Sequence, residues 1–356
     1  MVNVDIVNNS NEVKEEWDHF LEGCKNASFG SLFDWKILYE ETFGFKTFYI
    51  SIKEDNKLIG ILPLVLIKSP LIGKGSFLVS TPYVTQSGLC LNREQFDLLP
   101  LIYTLKKLIK DCRAKYVELR QLFPYPSDTL IMRKNFFTFH LDLSHGVEGL
   151  WKGFSSEVRN RIRKAQKSGV EVKTGQDIHF IKDFYKVFSK RMKELSFPNY
   201  PKDYMEAIMK IFYNRSRIVL VLFKGKVIGG MLVISFKNTL SMPYVASLVE
   251  YNHLCPNNLL YWEAIQQAIQ GGHTIFDMGR SREGTGTFQF KKKLGAVPVQ
   301  LYYQYLSPEG EKGDIKNLFD MEGSPLFNIY SSIWRRLPTP FTNLIGGYLI
   351  KQLYIA

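Results

Sequence analysis

Ile218-Val-Leu-Val-Leu-Phe-Lys-Gly-Lys-Val-Ile-Gly229-Gly-Met-Leu-Val-Ile234 is an apolar run, a polar turn and a second apolar run. β-Branched and aliphatic residues around so tight a turn read as a β-hairpin. The same form occurs earlier, in Phe48-Tyr-Ile-Ser-Ile-Lys-Glu-Asp-Asn-Lys-Leu-Ile-Gly60-Ile-Leu-Pro-Leu-Val65, with Gly60 where Gly229 stands. A glycine opening each second strand marks a bulge or a close backbone approach. An amphipathic helix and a short strand follow each hairpin: residues 96–115 and 116–120, then 259–271 and 274–278. Two matches in the same order predict a duplicated α/β unit, and 356 residues suffice for two domains.

Charge separates the halves. Residues 1–150 hold 17 Lys and Arg against 18 Asp and Glu, a net −1. Residues 151–356 hold 29 against 16, a net +13. Such an excess favours a polyanion, a phosphate-bearing substrate or an acidic membrane surface. Cys24, Cys90, Cys112 and Cys255 are far apart with no CxxC, which predicts reduced thiols and a cytoplasmic location. The six histidines include no HExxH, so no metal is expected. The polar start predicts no signal peptide, and no run approaches the roughly 18 apolar residues that span a bilayer.

The chemistry concentrates after the second unit's short strand, in Gly279-Arg-Ser-Arg-Glu-Gly-Thr-Gly-Thr-Phe-Gln-Phe-Lys-Lys-Lys-Leu-Gly295. Asp277 ends the strand, Arg280 and Arg282 follow, and Gly284 and Gly286 offer backbone amides that can form an anion-binding turn. Gly279 and Gly284 have P-loop spacing, but Thr285-Gly286 stand where Lys-Ser/Thr must be, which excludes a Walker site. Phe290 and Lys291 read as part of a strand beside this turn. A GxSxG elbow is absent and no Cys sits in a recognisable catalytic context, so no residue stands out as a nucleophile.

Two further segments are basic. Residues 150–169 read as one helix capped by Ser155 or Ser156, with Trp151, Phe154, Val158, Ile162 and Ala165 on an apolar stripe. Arg159, Arg163 and Lys167 form a second stripe, either a solvated face or an anion-binding one for a substrate phosphate or a nucleic-acid backbone. Residues 325–356 form a basic amphipathic tail with no acid, which either packs on the body or docks on an anionic membrane from its inner face.

With these residues in view the chain resembles the FemAB-like family, the peptidoglycan-bridge aminoacyltransferases, closest to the PEP-CTERM/exosortase-associated branch. The resemblance rests on Phe33-Asp-Trp35, Phe43-Gly-Phe45, Ser80-Thr-Pro-Tyr83-Val, Val158-Arg-Asn-Arg-Ile-Arg-Lys-Ala165 and Pro243-Tyr-Val-Ala-Ser247. It continues through Phe276-Asp-Met-Gly-Arg-Ser281, Gly284-Thr-Gly286, Phe288-Gln-Phe-Lys-Lys-Lys-Leu-Gly295 and Trp334-Arg-Arg-Leu-Pro338. It implies an α/β (α+β) fold of tandem duplicated GNAT-like domains, with mixed sheets flanked by helices. The first would span 1–143, completed by 301–356, and the second 144–300.

The resemblance further implies acyl or aminoacyl transfer onto an amine or hydroxyl of a peptidoglycan or exopolysaccharide precursor. Acyl-CoA or aminoacyl-tRNA would be the donor, with no permanently bound cofactor. It places Lys291 at the transition state beside Phe290, and Trp35 and Tyr244 along the substrate channel; Asp277 would orient Arg280, accept a proton or form a structural salt bridge, and Tyr83 would contact substrate. Arg159, Arg163, Arg280, Gly284 and Gly286 would hold substrate phosphates. The long helical arm that some members use for tRNA has no counterpart here, which leaves the donor open. The competing reading is a non-catalytic protein on the same scaffold that binds nucleic acid or a membrane surface.

Overall fold

The computed structural model describes residues 2–69, 75–93, 96–308 and 325–352, with backbone alone for 325–327. The chain forms two units: residues 1–135, 300–328 and 348–356 make the first, and 136–299 with 329–347 the second. In chain order the first contributes β1 (Val2–Ile6), α1 (Asn11–Gly23), α2 (Asp34–Leu38), β2 (Lys46–Glu54), β3 (Lys57–Ser69) and β4 (Gly75–Val79). β5 (Cys90–Leu91), α3 (Leu99–Cys112) and β6 (Ala114–Gln121) follow. β7 (Ile131–Asp142) then leads into the second unit.

The second unit holds α4 (Gly146–Gly153), α5 (Ser156–Lys167), β8 (Val170–Gly175), α6 (Ile178–Glu194), α7 (Lys202–Ile211), β9 (Ser216–Phe223) and β10 (Lys226–Phe236). It continues with β11 (Thr239–Ser247), α8 (Pro256–Gln270), β12 (Ile275–Asp277) and α9 (Gly286–Lys293). β13 (Val297–Leu306) returns to the first unit, and α10 (Pro325–Arg336) and α11 (Thr339–Gln352) end the described chain.

The duplicated plan is present in both units. β2 and β3 form an antiparallel hairpin, β3 pairs with β4, α3 crosses over, and β6 lies parallel to β4. β9 and β10 form the second hairpin, β10 pairs with β11, α8 crosses over, and β12 lies parallel to β11. Each unit is thus a mixed sheet with helices against it. α3 closes one core through Leu101, Leu105 and Leu108 against Ile50, Leu62 and Val117. α8 closes the other through Leu260, Ala264 and Ala268, with Val158, Ile162 and Ala165 of α5 in the same cluster.

Each hairpin carries a register shift beside its glycine, between Ile52 and Lys53 opposite Gly60, and between Val227 and Gly229. A Cβ at Gly229 would lie 2.9 Å from Val221 Cγ2 and 3.2 Å from Ser247 Cβ, so neighbouring strands occupy the space a side chain needs. Gly229→Ala should therefore lower folding stability by about 1–3 kcal/mol, read from urea unfolding. Unchanged stability would mean that the bulge, and not the crowding, selects glycine.

Three expectations are corrected. The helix read over 150–169 is two helices, because Phe154 leaves the helix as an extended cap and Ser155 Oγ accepts from Val158 N at 3.3 Å to start α5. The second unit begins at 136 rather than 144, since Phe139, Leu141 and Leu143 lie in its core. Residues 329–347 also pack in the second unit instead of returning to the first, held by Ser331 on Ser196 and Asn343 on Asn199. Residues 353–356 of the tail lie outside the described residues.

Candidate active site

The parallel pairing of β11 with β12 covers only 239–241 against 275–277, and β11 runs on to Ser247. Beyond that pairing a cavity of about 390 Å³ opens within the second unit. Val245 and Ser247 of β11 form one wall, and Asn257 and Tyr261 of α8 another. Gly286, Thr287, Phe290 and Lys291 come from α9, Arg191 from α6, and Asn252 from the turn before α8.

Two helices begin at this cavity. α8 starts at Pro256 without a side-chain cap, and α9 starts at Gly286 after Thr285, whose hydroxyl accepts from Phe288 N at 3.3 Å. Uncapped amides and the positive end of a helix dipole favour an anion. Arg191 adds a cation, held by Glu194 at 3.0 Å. The cavity therefore suits a ligand that carries negative charge at the helix starts and a less polar part toward Phe290 and Tyr261, whose rings meet edge-on at 5.1 Å.

Lys291 lies on helix α9, not on a strand as its sequence suggested. It is 5% exposed, and Nζ donates to the carbonyl oxygens of Gly279 at 2.9 Å and Arg280 at 3.1 Å. Burial pulls its pKa down to about 7; Asp277 opposes that shift and Arg280 adds to it. Asp277 is itself buried and accepts from Thr138 Oγ1 at 2.5 Å and Gly279 N at 2.9 Å. Its carboxylate thus shapes the turn whose carbonyls hold Lys291. Gly279 takes φ +69° there, which allows its carbonyl to face back toward α9.

The remaining residues named from sequence do not meet at this cavity. Arg280 places its guanidinium 4.4 Å over the Phe136 ring and meets Lys291 through its carbonyl oxygen. Gly284 takes φ +78° in the exposed turn, outside the cavity lining. Arg159 donates to the carbonyls of Lys152 and Phe154 at the end of α4, a structural role. Arg163 is exposed and stacks 5.3 Å over Trp151. Tyr244 points away from Val245, is buried, and shares a hydrogen bond with Tyr204 at 2.8 Å.

Trp35 and Tyr83 belong to the first unit. Trp35 is fully buried, with Nε1 donating to Phe29 O at 2.8 Å, so it presents no face to a substrate. Tyr83 is 9% exposed, and its hydroxyl donates to Ile350 O at 2.6 Å. The end of β6, which corresponds to β12, is filled instead of hollow: Arg120 donates to Glu118 at 2.8 Å and to Val84 O at 2.8 Å, over the Tyr303 ring. Sequence reasoning missed Arg191, Asn252, Asn257 and Tyr261. They come from α6, the turn before α8 and α8 itself, and no local pattern sets them apart.

Residues 152–292, which lie in the second unit, match the family model described as an acetyltransferase (GNAT) domain. The whole chain is similar in fold to FemX, with a TM-score of 0.67 at 14% identity over 86% of this chain and 98% of that one. It is similar also to a tandem GNAT protein from the clavulanic acid biosynthesis pathway (TM-score 0.58, 9% identity, 86% and 99% covered). A third likeness is to the C-terminal domain of a putative lysylphosphatidylglycerol synthetase from Agrobacterium fabrum (TM-score 0.55, 11% identity, 84% and 92% covered). At these identities the likeness is one of fold. None of the curated proteins compared with the chain matches it.

Proposed function

We propose that the protein transfers an acyl or aminoacyl group directly onto an amine or hydroxyl of a phosphate-bearing cell-envelope precursor. Acyl-CoA or aminoacyl-tRNA is the donor, and the reaction takes place in the cytoplasm. The observation that carries this reading is the buried Lys291 amine in the wall of a cavity at which two helices start. Donor phosphates lie at the starts of α8 and α9. The acyl carbonyl points its oxygen at Lys291. The protonated amine already donates two N–H groups to Gly279 and Arg280, and its third meets the oxyanion.

The acceptor's nitrogen or oxygen forms a bond to the acyl carbon. Collapse of the tetrahedral intermediate breaks the bond to the donor's sulfur or ribose oxygen, and the acceptor's proton ends on that leaving atom. An envelope acceptor is supported by the motif resemblance and by the lysylphosphatidylglycerol synthetase fold likeness. Thermal-shift titration with acyl-CoAs and with charged and uncharged tRNA tests the reading. One donor class should raise the melting temperature in proportion to the logarithm of its concentration above Kd. No stabilisation by either class, or equal binding of random nucleic acid with steep salt dependence, would reject it.

A further inference from the structure

Helices α10 and α11 each turn one face to residues 196–201 in the second unit. On α10, Ser331 shares a hydrogen bond with Ser196 at 2.7 Å, Arg335 Nε donates to Ser196 Oγ at 2.8 Å, and Trp334 is buried. On α11, Asn343 Oδ1 accepts from Asn199 Nδ2 at 3.1 Å, and a Cβ on Gly346 would come 2.6 Å from Asn199 N. Helical periodicity then turns the opposite faces outward. They carry Ile329, Ile333 and Arg336 on α10, at i, i+4 and i+7, and Phe341, Leu344 and Tyr348 on α11, at i, i+3 and i+7.

These five apolar side chains are between 48% and 76% exposed. They are five of the fifteen large hydrophobics exposed among the described residues, and all fall within 329–348, on two helices consecutive in the chain. Their setting selects the occupant. Residues 325–356 contain no Asp or Glu, and the exposed Arg336 stands on the outward face of α10, so the apolar positions have a cation beside them and no anion from their own helices. The helices have 12 and 14 residues, and no described helix is long and apolar enough to cross a membrane. Short helices with aliphatic and aromatic residues on one side and bases at the margin lie in the lipid interface.

We infer that the outer faces of α10 and α11 are a docking surface for an anionic lipid bilayer. Ile329, Ile333, Phe341 and Leu344 enter the boundary between headgroups and acyl chains, and Arg336 meets lipid phosphates. The inference is independent of the acyl-transfer reading, because none of these residues lines the cavity.

The test is co-sedimentation of the full chain with vesicles of phosphatidylcholine alone and of phosphatidylcholine with about 30% phosphatidylglycerol. Binding is expected on the anionic vesicles, weakened at high salt, and at least about tenfold weaker for I333D/L344D and about fivefold or more for Arg336→Glu. If the double variant melts early, Leu344→Ser, at the most exposed of these positions, supplies the comparison. Absence of binding, equal binding to neutral vesicles, or variants that bind like the parent would each overturn the inference. A dimer that these variants dissociate would overturn it too, by showing that a second copy covers the face.

Discussion

Lys291→Met is expected to lower kcat by about 100- to 1000-fold, the usual cost of losing one oxyanion donor. Folding stability should stay level or rise. The native amine is buried and its pKa is pulled from 10.5 down to about 7. Between those values the unfolded chain binds a proton that the folded chain does not, so stability rises with pH across that window. The penalty is fully present below about pH 7 and amounts to roughly 5 kcal/mol at most. Methionine removes it, at the cost of two hydrogen bonds to carbonyls worth about 1 kcal/mol each. A side chain that weakens the fold and is kept beside a cavity is the pattern of a functional group.

The pH profile separates the roles open to that amine. As an oxyanion donor it must be protonated, so activity is expected to decline as pH rises through about 7, and this limb should vanish in the methionine variant. Activity that rises through the same window would assign the neutral amine as the proton acceptor instead. Full activity in Lys291→Met would remove the residue from the mechanism altogether.

Trp35→Ala is expected to cost about 3–5 kcal/mol of stability, measured by denaturant unfolding. Trp35 is fully buried, stacks on Tyr39 at 5.6 Å and meets Phe29 at 6.2 Å, and Tyr39 carries the ring contacts on to Phe43 and Tyr83. Removing it leaves a large cavity and strands the Phe29 carbonyl that its indole N–H satisfies. If the variant folds normally and loses only substrate affinity, the ring is a binding element and the packing account fails.

Much of the architecture was legible because its signals are local. The hairpins announce themselves by apolar runs around a polar turn, and Gly60 and Gly229 mark the bulges that both hairpins carry. Ser155 caps α5 through a hydroxyl contact three residues on, which depends on neighbouring residues alone. The strand read for Phe290 and Lys291 shows where locality misleads. Phe288-Gln-Phe-Lys alternates like a strand, yet Phe288, Lys291 and Leu294 are the buried face of a helix and its end, at spacing of three. A lysine counts as polar in any pattern, so the helical stripe is hidden until the Gly279 and Arg280 carbonyls receive its amine.

By itself, then, the sequence determined the duplicated α/β plan, the two hairpins with their glycines and the cap that starts α5. All of these are set by side-chain periodicity and short-range hydrogen bonds. Tertiary structure alone decided that Trp35 and Tyr244 are core, that Arg159 ends a helix, and that Arg191, Asn252, Asn257 and Tyr261 share a cavity with Lys291. Burial and a shared cavity depend on residues distant in the chain, and the Lys291 pKa falls chiefly because those residues exclude water from it.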